Sequence, residues 1–292
     1  MSAYVQLLDA AIRDLAGRKA AGESFVVVAP DALNALAVPV PRSQPPAAAP
    51  MAQPRPAVAA PRPATPLAVP PVRPPAARVP TTEKAAAFAE LRARVLACVK
   101  CSQLVATRQS VVFGVGDLNA QLMFVGEAPG ADEDRLGEPF VGAAGQLLTK
   151  IITAMGQTRD TVFIANVLKC RPNPPPGELD NRKPRPDEMA TCLPYLREQI
   201  QLIQPRVIVA LGGTAVEGLF SMSEAGITRR RGHWMDFLGI PVMPTFHPSY
   251  LLHAETHADK GLALKRQVWE DMLQVMERLA LPISAKQRGY FK

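Results

Sequence analysis

The chain has 292 residues, of which 33 are basic and 26 acidic, and half of its 30 prolines lie between Pro39 and Pro80. Its formal charge of +7 permits a polyanionic partner without requiring one, because that proline-rich stretch holds five arginines and no acidic residue. No apolar run is long enough for a membrane span, Asp9, Arg13 and Asp14 interrupt any secretory signal, and four cysteines are too few for a disulfide scaffold. These features exclude membrane, secreted and disulfide-built proteins, and we expect a cytoplasmic protein.

Residues 1–38 are predicted to contain one short amphipathic helix, because Val5, Leu8, Ile12 and Leu15 recur at helical spacing. A helix this small cannot form a core alone, so it would dock on the main domain or bind a partner protein. Residues 39–82, rich in Pro and Ala, are predicted to be a disordered linker with some polyproline II character. The linker serves either as a tether or as an arm that docks on a protein or contacts DNA.

Residues 83–292 are predicted to form one α/β domain. After a helix over Lys84–Ala97, apolar strands at 121–126, 161–168, 206–211 and 241–246 alternate with helices at 145–155, 186–203, 214–219 and 260–279. Continuous apolar strands separated by helices indicate a parallel sheet that is covered on both faces. We therefore expect a four-stranded parallel sheet between helices, with ligands at the carboxyl ends of the strands.

All four cysteines lie in this domain. Cys98 and Cys101 form a C-x2-C pair, Cys170 follows a predicted strand, and Cys192 lies in a predicted helix. Four thiolates suit either tetrahedral zinc or a [4Fe–4S] cluster, and four unrelated buried cysteines are the alternative. Spacing does not decide between the two metals, although one close pair with two distant cysteines favours iron–sulfur.

The segment between the last two cysteines is rich in proline and basic residues, including Arg171 and Arg182. If a metal site fixed both ends of this loop, these side chains would be suited to contact phosphate. A solvated surface loop is the alternative.

Three polar segments follow predicted strands. Gly126, Glu127 and Ala128 open a tight G-E-A-P-G turn with the carboxylate at its tip. Asn166 lies among apolar residues, where its amide needs both a donor and an acceptor, which neighbouring backbone could supply. His247 follows the fourth strand, a position where a purely structural histidine is common.

Together, the segments GEAPG, PFVGAAGQLL, NVLKCRP and HPSYLL resemble family 4 uracil-DNA glycosylases over roughly residues 85–280. The resemblance implies hydrolysis of the N-glycosidic bond of deoxyuridine in DNA, which releases free uracil and leaves an abasic site at the start of base excision repair. It also implies a structural [4Fe–4S] cluster held by Cys98, Cys101, Cys170 and Cys192. In the implied pocket, Phe140 stacks on the flipped base, Asn166 reads its edge, His247 stabilises the uracil anion, and the backbone of Gly126–Ala128 completes the wall.

Further roles follow from this resemblance. Glu133 is the expected barrier to the methyl group of thymine, and Leu251 is the expected wedge into the emptied base stack. Ala128 stands where family 1 enzymes have an Asp that orients water, so either Glu127 handles the water or the reaction depends more on the leaving group. Residues 171–187 contain no histidine, so we expect turnover, in contrast to a related branch that captures the sugar covalently.

Two other classes of function remain open. One is a non-catalytic iron–sulfur module that binds nucleic acid in association with replication proteins; it would need a damaged pocket, whereas Glu127, Phe140, Asn166 and His247 are all present. The other is a zinc-stabilised adaptor whose proline-rich arm carries the function. We expect a monomer, because the enzyme must approach DNA freely.

Overall fold

The structure, a computed structural model, describes residues 81–173, 182–222, 226–254 and 261–291. The predicted N-terminal helix and all but the last two residues of the predicted linker lie outside the described residues. Within these ranges, no helix is both long and apolar enough to cross a bilayer.

Ten helices lie in the described ranges. They are α1 (Thr81–Leu96), α2 (Ser102–Val105), α3 (Ala131–Leu136), α4 (Ala143–Ala154), α5 (Pro186–Ile203), α6 (Gly213–Phe220), α7 (Ile227–Arg230), α8 (Pro248–Ala254), α9 (Leu262–Arg278) and α10 (Ala285–Arg288). The five helices predicted within residues 83–292 correspond to α1, α4, α5, α6 and α9. Helix α5 begins as predicted because Pro186 occupies its first turn and the Glu188 carboxylate accepts the Arg185 backbone N–H at 2.8 Å.

Six strands form one sheet in the order β1-β3-β2-β4-β6-β5. Their bounds are β1 (Val115–Gly116), β2 (Leu122–Gly126), β3 (Phe163–Asn166), β4 (Val207–Leu211), β5 (Met235–Phe237) and β6 (Ile240–Thr245). The four central strands are parallel and are the four that the sequence predicts, whereas β1 and β5 pair antiparallel at the edges. The expected four-stranded sheet is therefore corrected to six strands; two or three residues are too few to produce a hydrophobic pattern.

Alternate residues of the central strands enter two separate cores. Met123 and Val125 of β2 pack with the apolar faces of α1, α5 and α6. Leu122 and Phe124 point the other way, toward α4, α8 and α9. This period of two places helices on both faces of the sheet and confirms the predicted three-layer α/β architecture.

The carboxyl ends of the parallel strands meet at one edge. From β2 the chain passes first to β3 on one side and then to β4 on the other, so the strand order reverses around β2. A crevice at such a switch point is the usual ligand site of an open α/β sheet. Glu127 follows β2, Asn166 ends β3 and His247 follows β6, so all three lie at this edge.

Candidate active site

The turn after β2 brings Gly126 against two pocket side chains. Gly126 pairs with Asn166 in the register of β2 and β3. A Cβ at Gly126 would lie 2.5 Å from Cζ of Phe140 and closer still to Oδ1 of Asn166. Only glycine fits at this position, and Asn166 and Phe140 border the same space.

Asn166 carries a buried carboxamide with an unused acceptor. The residue is 2% exposed, and no donor in the described part of the chain reaches its Oδ1. A buried polar atom without a partner costs about 1–3 kcal/mol. Such an exception in a packed interior points to a ligand that donates an N–H to this oxygen.

The loop after β6 fixes His247 as a neutral hydrogen-bond donor. The backbone N–H of Ser249 donates to Nδ1 at 3.2 Å, and Ser249 Oγ lies 2.8 Å from the same nitrogen. Because Nδ1 accepts, the proton of the neutral ring is on Nε2. Burial lowers the pKa of His247 to about 4, against the opposing pull of Glu133, so the ring is neutral at physiological pH.

The two rings of the pocket lie side by side. The centroids of Phe140 and His247 are 5.6 Å apart, and their planes are tilted by 34°. Behind His247, a Cβ at Gly212, which has a φ of +89°, would lie 3.0 Å from the histidine Cβ. The loop after β4 therefore approaches so closely that a side chain at Gly212 would press on His247.

Phe140 has a left-handed backbone, with a φ of +54°, which is unfavourable for a bulky residue. The Glu133 carboxylate holds one side of its loop by accepting the N–H groups of Val141 at 2.9 Å and Gly142 at 3.0 Å. Arg159 holds the other side by donating to the carbonyl oxygens of Phe140 at 3.0 Å and Pro139 at 2.7 Å. Two charged side chains thus stabilise the position of one aromatic ring.

These contacts give Glu133 a positioning role, because its other oxygen also accepts the Gly130 N–H at 3.1 Å. Its expected role as a barrier to the thymine methyl group stays a prediction. The sequence offered no signal for Arg159, which lies in the connection between α4 and β3 and is recognisable only from its two backbone partners.

Glu127 lies at the tip of the turn after β2. Burial raises the pKa of its carboxyl group, while a hydrogen bond with Thr214 at the start of α6 and the charge of Lys183 oppose this shift. Lys183 is itself paired with Glu217 at 2.6 Å. Next in the chain, the side chain of Ala128 packs on the core that contains α1, α5 and α6. The carboxylate of Glu127 is therefore the ionisable group of this turn.

The four cysteines lie close together near the end of β3 and helix α5. Cys98, Cys101, Cys170 and Cys192 all line one cavity. No three His, Cys, Asp or Glu side chains within the described ranges are arranged around a single-ion site. The structure places these four residues, from distant parts of the domain, around one cavity, and their binding of a metal stays a prediction.

The surroundings of this cavity suit bound thiolates. Arg108 Nη1 donates to Cys170 Sγ at 3.0 Å, and the backbone N–H of Lys169 donates to Cys192 Sγ at 3.3 Å. Burial raises the pKa of Cys192 to about 11, so this thiol would ionise at neutral pH only on binding a metal. Four sulfur ligands with cationic and N–H donors around them fit the donor set of a [4Fe–4S] cluster.

Lys169 connects this cavity with the candidate pocket and was missed by sequence reasoning. Its buried Nζ donates to the backbone oxygen of Asn166 at 2.9 Å and to Gln199 Oε1 at 2.6 Å. Gln199 in turn donates to the carbonyl oxygen of Phe113 at 2.9 Å. Burial lowers the pKa of Lys169 to about 8. A lysine inside the apolar run before Cys170 was the available signal.

One of the two predicted phosphate contacts, Arg182, has an acidic partner, and its predicted contact with DNA stays a prediction. The Arg182 guanidinium forms two hydrogen bonds with Glu188, at 2.9 and 2.6 Å. This pairing raises the pKa of Arg182 and commits its charge to the start of α5. Arg171 is half-buried next to Cys170, and its predicted contact with DNA stays a prediction.

The predicted wedge is corrected. Leu251 is 2% exposed because it lies on the inner face of α8, in the core shared with α4 and α9. A side chain in that position does not reach a ligand outside the domain.

Comparison with known proteins agrees with this geometry. Residues 113–273 match the family model described as the uracil DNA glycosylase superfamily. A type-4 uracil-DNA glycosylase of Thermotoga maritima is 45% identical over 180 residues, which cover 61% of this chain and 88% of that protein. A type-4 enzyme of Sulfurisphaera tokodaii is 41% identical over 201 residues, covering 66% and 85%, and one of Archaeoglobus fulgidus is 42% identical over 166 residues, covering 54% and 80%.

Proposed function

Because the chain belongs to the uracil DNA glycosylase superfamily, we propose that it hydrolyses the N-glycosidic bond of deoxyuridine in DNA. The products are free uracil and an abasic site, and the reaction starts base excision repair. The observation that carries this proposal is the buried, unpartnered Oδ1 of Asn166, which borders the same space as Phe140 and lies at the same sheet edge as His247.

Uracil leaves the base stack to enter the pocket, at a cost of a few kcal/mol. Phe140 stacks on the flipped base. Asn166 accepts the N3–H of uracil through Oδ1 and donates to O4 through its amide group. Cytosine presents the opposite pattern at these two atoms, so a fixed carboxamide rejects it by leaving buried polar groups unpaired.

His247 stabilises the leaving group. When the bond from N1 to C1′ breaks, its electron pair stays on uracil, and negative charge develops at O2. The Nε2–H of a neutral imidazole donates to this oxygen, supported by the bonds that Ser249 makes to Nδ1. One preorganised donor of this kind contributes roughly 3 kcal/mol in a site without water.

Glu127 orients the attacking water in this scheme. The water oxygen bonds to C1′ and its proton passes to the carboxylate, whose raised pKa makes it a stronger base. Thr214 fixes the carboxylate through its hydrogen bond. Ala128 has no group for this task, which leaves Glu127 as the base in the turn after β2.

Cys98, Cys101, Cys170 and Cys192 would hold a [4Fe–4S] cluster, which supplies structural cross-links when bound. Arg108 and the Lys169 backbone donate to two of the sulfurs and so stabilise the thiolates. These four residues would then tie α5 and the segment before α2 to the end of β3, and the proposed hydrolysis needs no redox step.

The proposal is tested with an end-labelled oligonucleotide that contains one deoxyuridine, treated with alkali after incubation with the purified protein. We expect cleavage at uracil and none in matched thymine and cytosine oligonucleotides. Folded, brown, DNA-binding protein that leaves uracil in place would overturn the proposal in favour of a binding module. Colourless active protein with bound zinc would overturn the cluster assignment alone.

A further inference from the structure

In helix α8, the neighbouring residues Tyr250 and Leu251 face solvent and the core, respectively. Pro248, Leu251 and Ala254 are spaced by three residues and are buried on its inner face. Tyr250 lies about 100° from Leu251 around the helix and is 52% exposed. Of the aromatic and aliphatic side chains of α8, Tyr250 is therefore the most exposed.

The Tyr250 ring is supported from below. Its centroid is 5.3 Å from that of Phe246, and Phe246 is buried in the second core. The Arg231 guanidinium lies 5.7 Å from the Phe246 ring and is itself held by Asp271. The Tyr250 ring therefore packs on the buried core with one side and remains exposed on the other.

Tyr250 also lies close to the pocket residue His247. Its backbone N–H donates to the carbonyl oxygen of His247 at 3.0 Å, at the edge of the sheet where the pocket lies. Helix α7 packs against β6 and carries Arg229 and Arg230 in its last turn. An exposed aromatic ring next to the pocket suits nucleic acid, because bases stack on aromatic rings, and arginines on the same domain can contact phosphates.

We propose that Tyr250, in place of Leu251, is the side chain that enters the DNA duplex when deoxyuridine leaves it. The ring stacks on the neighbouring base pairs and fills the space of the flipped nucleotide, which delays its return. This inference rests on the proposed function. It names the residue that makes double-stranded DNA a substrate, whereas single-stranded DNA needs no such filling.

The experiment compares wild-type protein with Tyr250→Ala and Tyr250→Phe on one deoxyuridine oligonucleotide, supplied single-stranded and annealed to its complement. Leu238→Ala is the matched control. Leu238 is 53% exposed, but it lies in the turn between β5 and β6, at the end of β6 opposite to the one that Tyr250 follows. Melting temperatures of all four proteins show that they are equally folded.

We expect Tyr250→Ala to lower kcat/KM on duplex DNA at least about tenfold, as for the loss of one base-stacking contact, and to leave the value on single strands near wild type. Tyr250→Phe and Leu238→Ala should retain activity on both substrates. Equal losses of Tyr250→Ala on both substrates, or no loss on either, would overturn the inference while the proposed function stands. A wild-type protein inactive on both substrates would instead overturn the proposed function.

Discussion

At the residue scale, the two polar side chains of the pocket have opposite hydrogen-bonding roles. Asn166 Oδ1 is buried without a donor from the described residues, whereas His247 Nδ1 is bonded through Ser249. The carboxamide is therefore an acceptor awaiting an N–H, and the imidazole is a donor through Nε2. A flat ring with an N–H and adjacent carbonyl groups satisfies both.

Asn166→Asp should lower excision of uracil at least about a hundredfold, because a buried carboxylate has no donor for O4 and repels it. Asn119→Asp is the control, since Asn119 precedes β2 at the amino edge of the sheet, where its Oδ1 accepts from Lys84. Initial rates on the deoxyuridine oligonucleotide measure the effect. Wild-type rates in the Asn166 variant would contradict the reading role of the carboxamide.

The lowered pKa of His247 predicts how its protonation depends on pH. Burial lowers its pKa from the ordinary 6.5 to about 4, and a lowered pKa in a base keeps the neutral form down to that lower pH. We therefore expect His247 to contribute no inflection to the pH profile of kcat near pH 6.5, and its ring nitrogens to show no titration in NMR spectra above about pH 5. An inflection near pH 6.5 that disappears in His247→Gln would show that the ring is not neutral by burial.

The sequence indicates which residue types surround this pocket better than it indicates which side chains are exposed. Asn166 and His247 are found from their place after buried strands, and Phe140 from the PFVGAAGQLL segment. The prediction for Leu251 is wrong because it depends on a local detail that a motif does not contain. Leu251 faces inward once α8 begins at Pro248. The ion pair of Arg182 with Glu188 in the first turn of α5 is a second such detail, although the contact of Arg182 with DNA stays a prediction.

At the scale of elements, the buried Asp271 carboxylate joins both β6 and the segment after α7 to α9. Arg231 forms two hydrogen bonds with Asp271, at 3.1 and 2.5 Å, and Thr245 at the end of β6 donates to the same carboxylate at 2.6 Å. Burial raises the pKa of Asp271 to about 6, against the opposing effect of Arg231, so the carboxylate is charged at neutral pH. The strand end that leads to His247 is thereby fixed to the helix behind it.

Asp271→Ala should lower the free energy of unfolding by about 3–5 kcal/mol, because it leaves a largely buried guanidinium without its partner. Glu277→Ala is the matched control in the same helix. Its ion pair with Arg288 has side chains that are 53% and 56% exposed and should contribute at most about 1 kcal/mol. Urea unfolding at neutral pH measures both; equal effects would contradict the importance of burial.

Cys170→Ala should lose the brown colour and the yield of soluble protein together, because Cys170 lies between the end of β3 and the loop that leads to α5. Iron analysis and the fraction of soluble protein after expression measure this. A colourless variant that stays folded and fully active would contradict the structural role of the cluster.

The helices and strands are predicted correctly where the hydrophobic pattern in the sequence is long. Helix α5 matches its predicted bounds, 186–203, because Pro186, Glu188 and an apolar stripe all indicate it. Strands β1 and β5 were missed, since β1 has two residues and β5 three, and their pairing is decided by neighbours distant in sequence. The gathering of cysteines was predictable from chemistry, whereas the Lys169–Gln199 contact required the packing of α5 on β3.

At the scale of the whole molecule, charge and fold are distributed unevenly. The proline-rich stretch holds five arginines and no acidic residue, whereas all of the proposed active-site residues lie between Gly126 and His247. The proposed chemistry therefore belongs to the domain that begins at α1.

Deletion of residues 1–80 should leave kcat/KM on a short deoxyuridine oligonucleotide near the full-length value, because α1 begins at Thr81 and the pocket lies wholly beyond it. The glycosylase assay with both proteins on the same oligonucleotide measures this. A large loss in the shortened protein would show that the N-terminal region forms part of the substrate site.

Lys169 has a consequence for the cell that contains this protein. Within five residues, Asn166 to Cys170, the chain carries the base-reading amide, the buried lysine that bonds to its backbone, and a proposed cluster ligand. If the four cysteines hold the proposed cluster, the support beneath Asn166 would depend on iron supply. Protein made under iron starvation would then excise less uracil, and unrepaired cytosine deamination would raise the frequency of C·G to T·A transitions while the gene itself is unchanged.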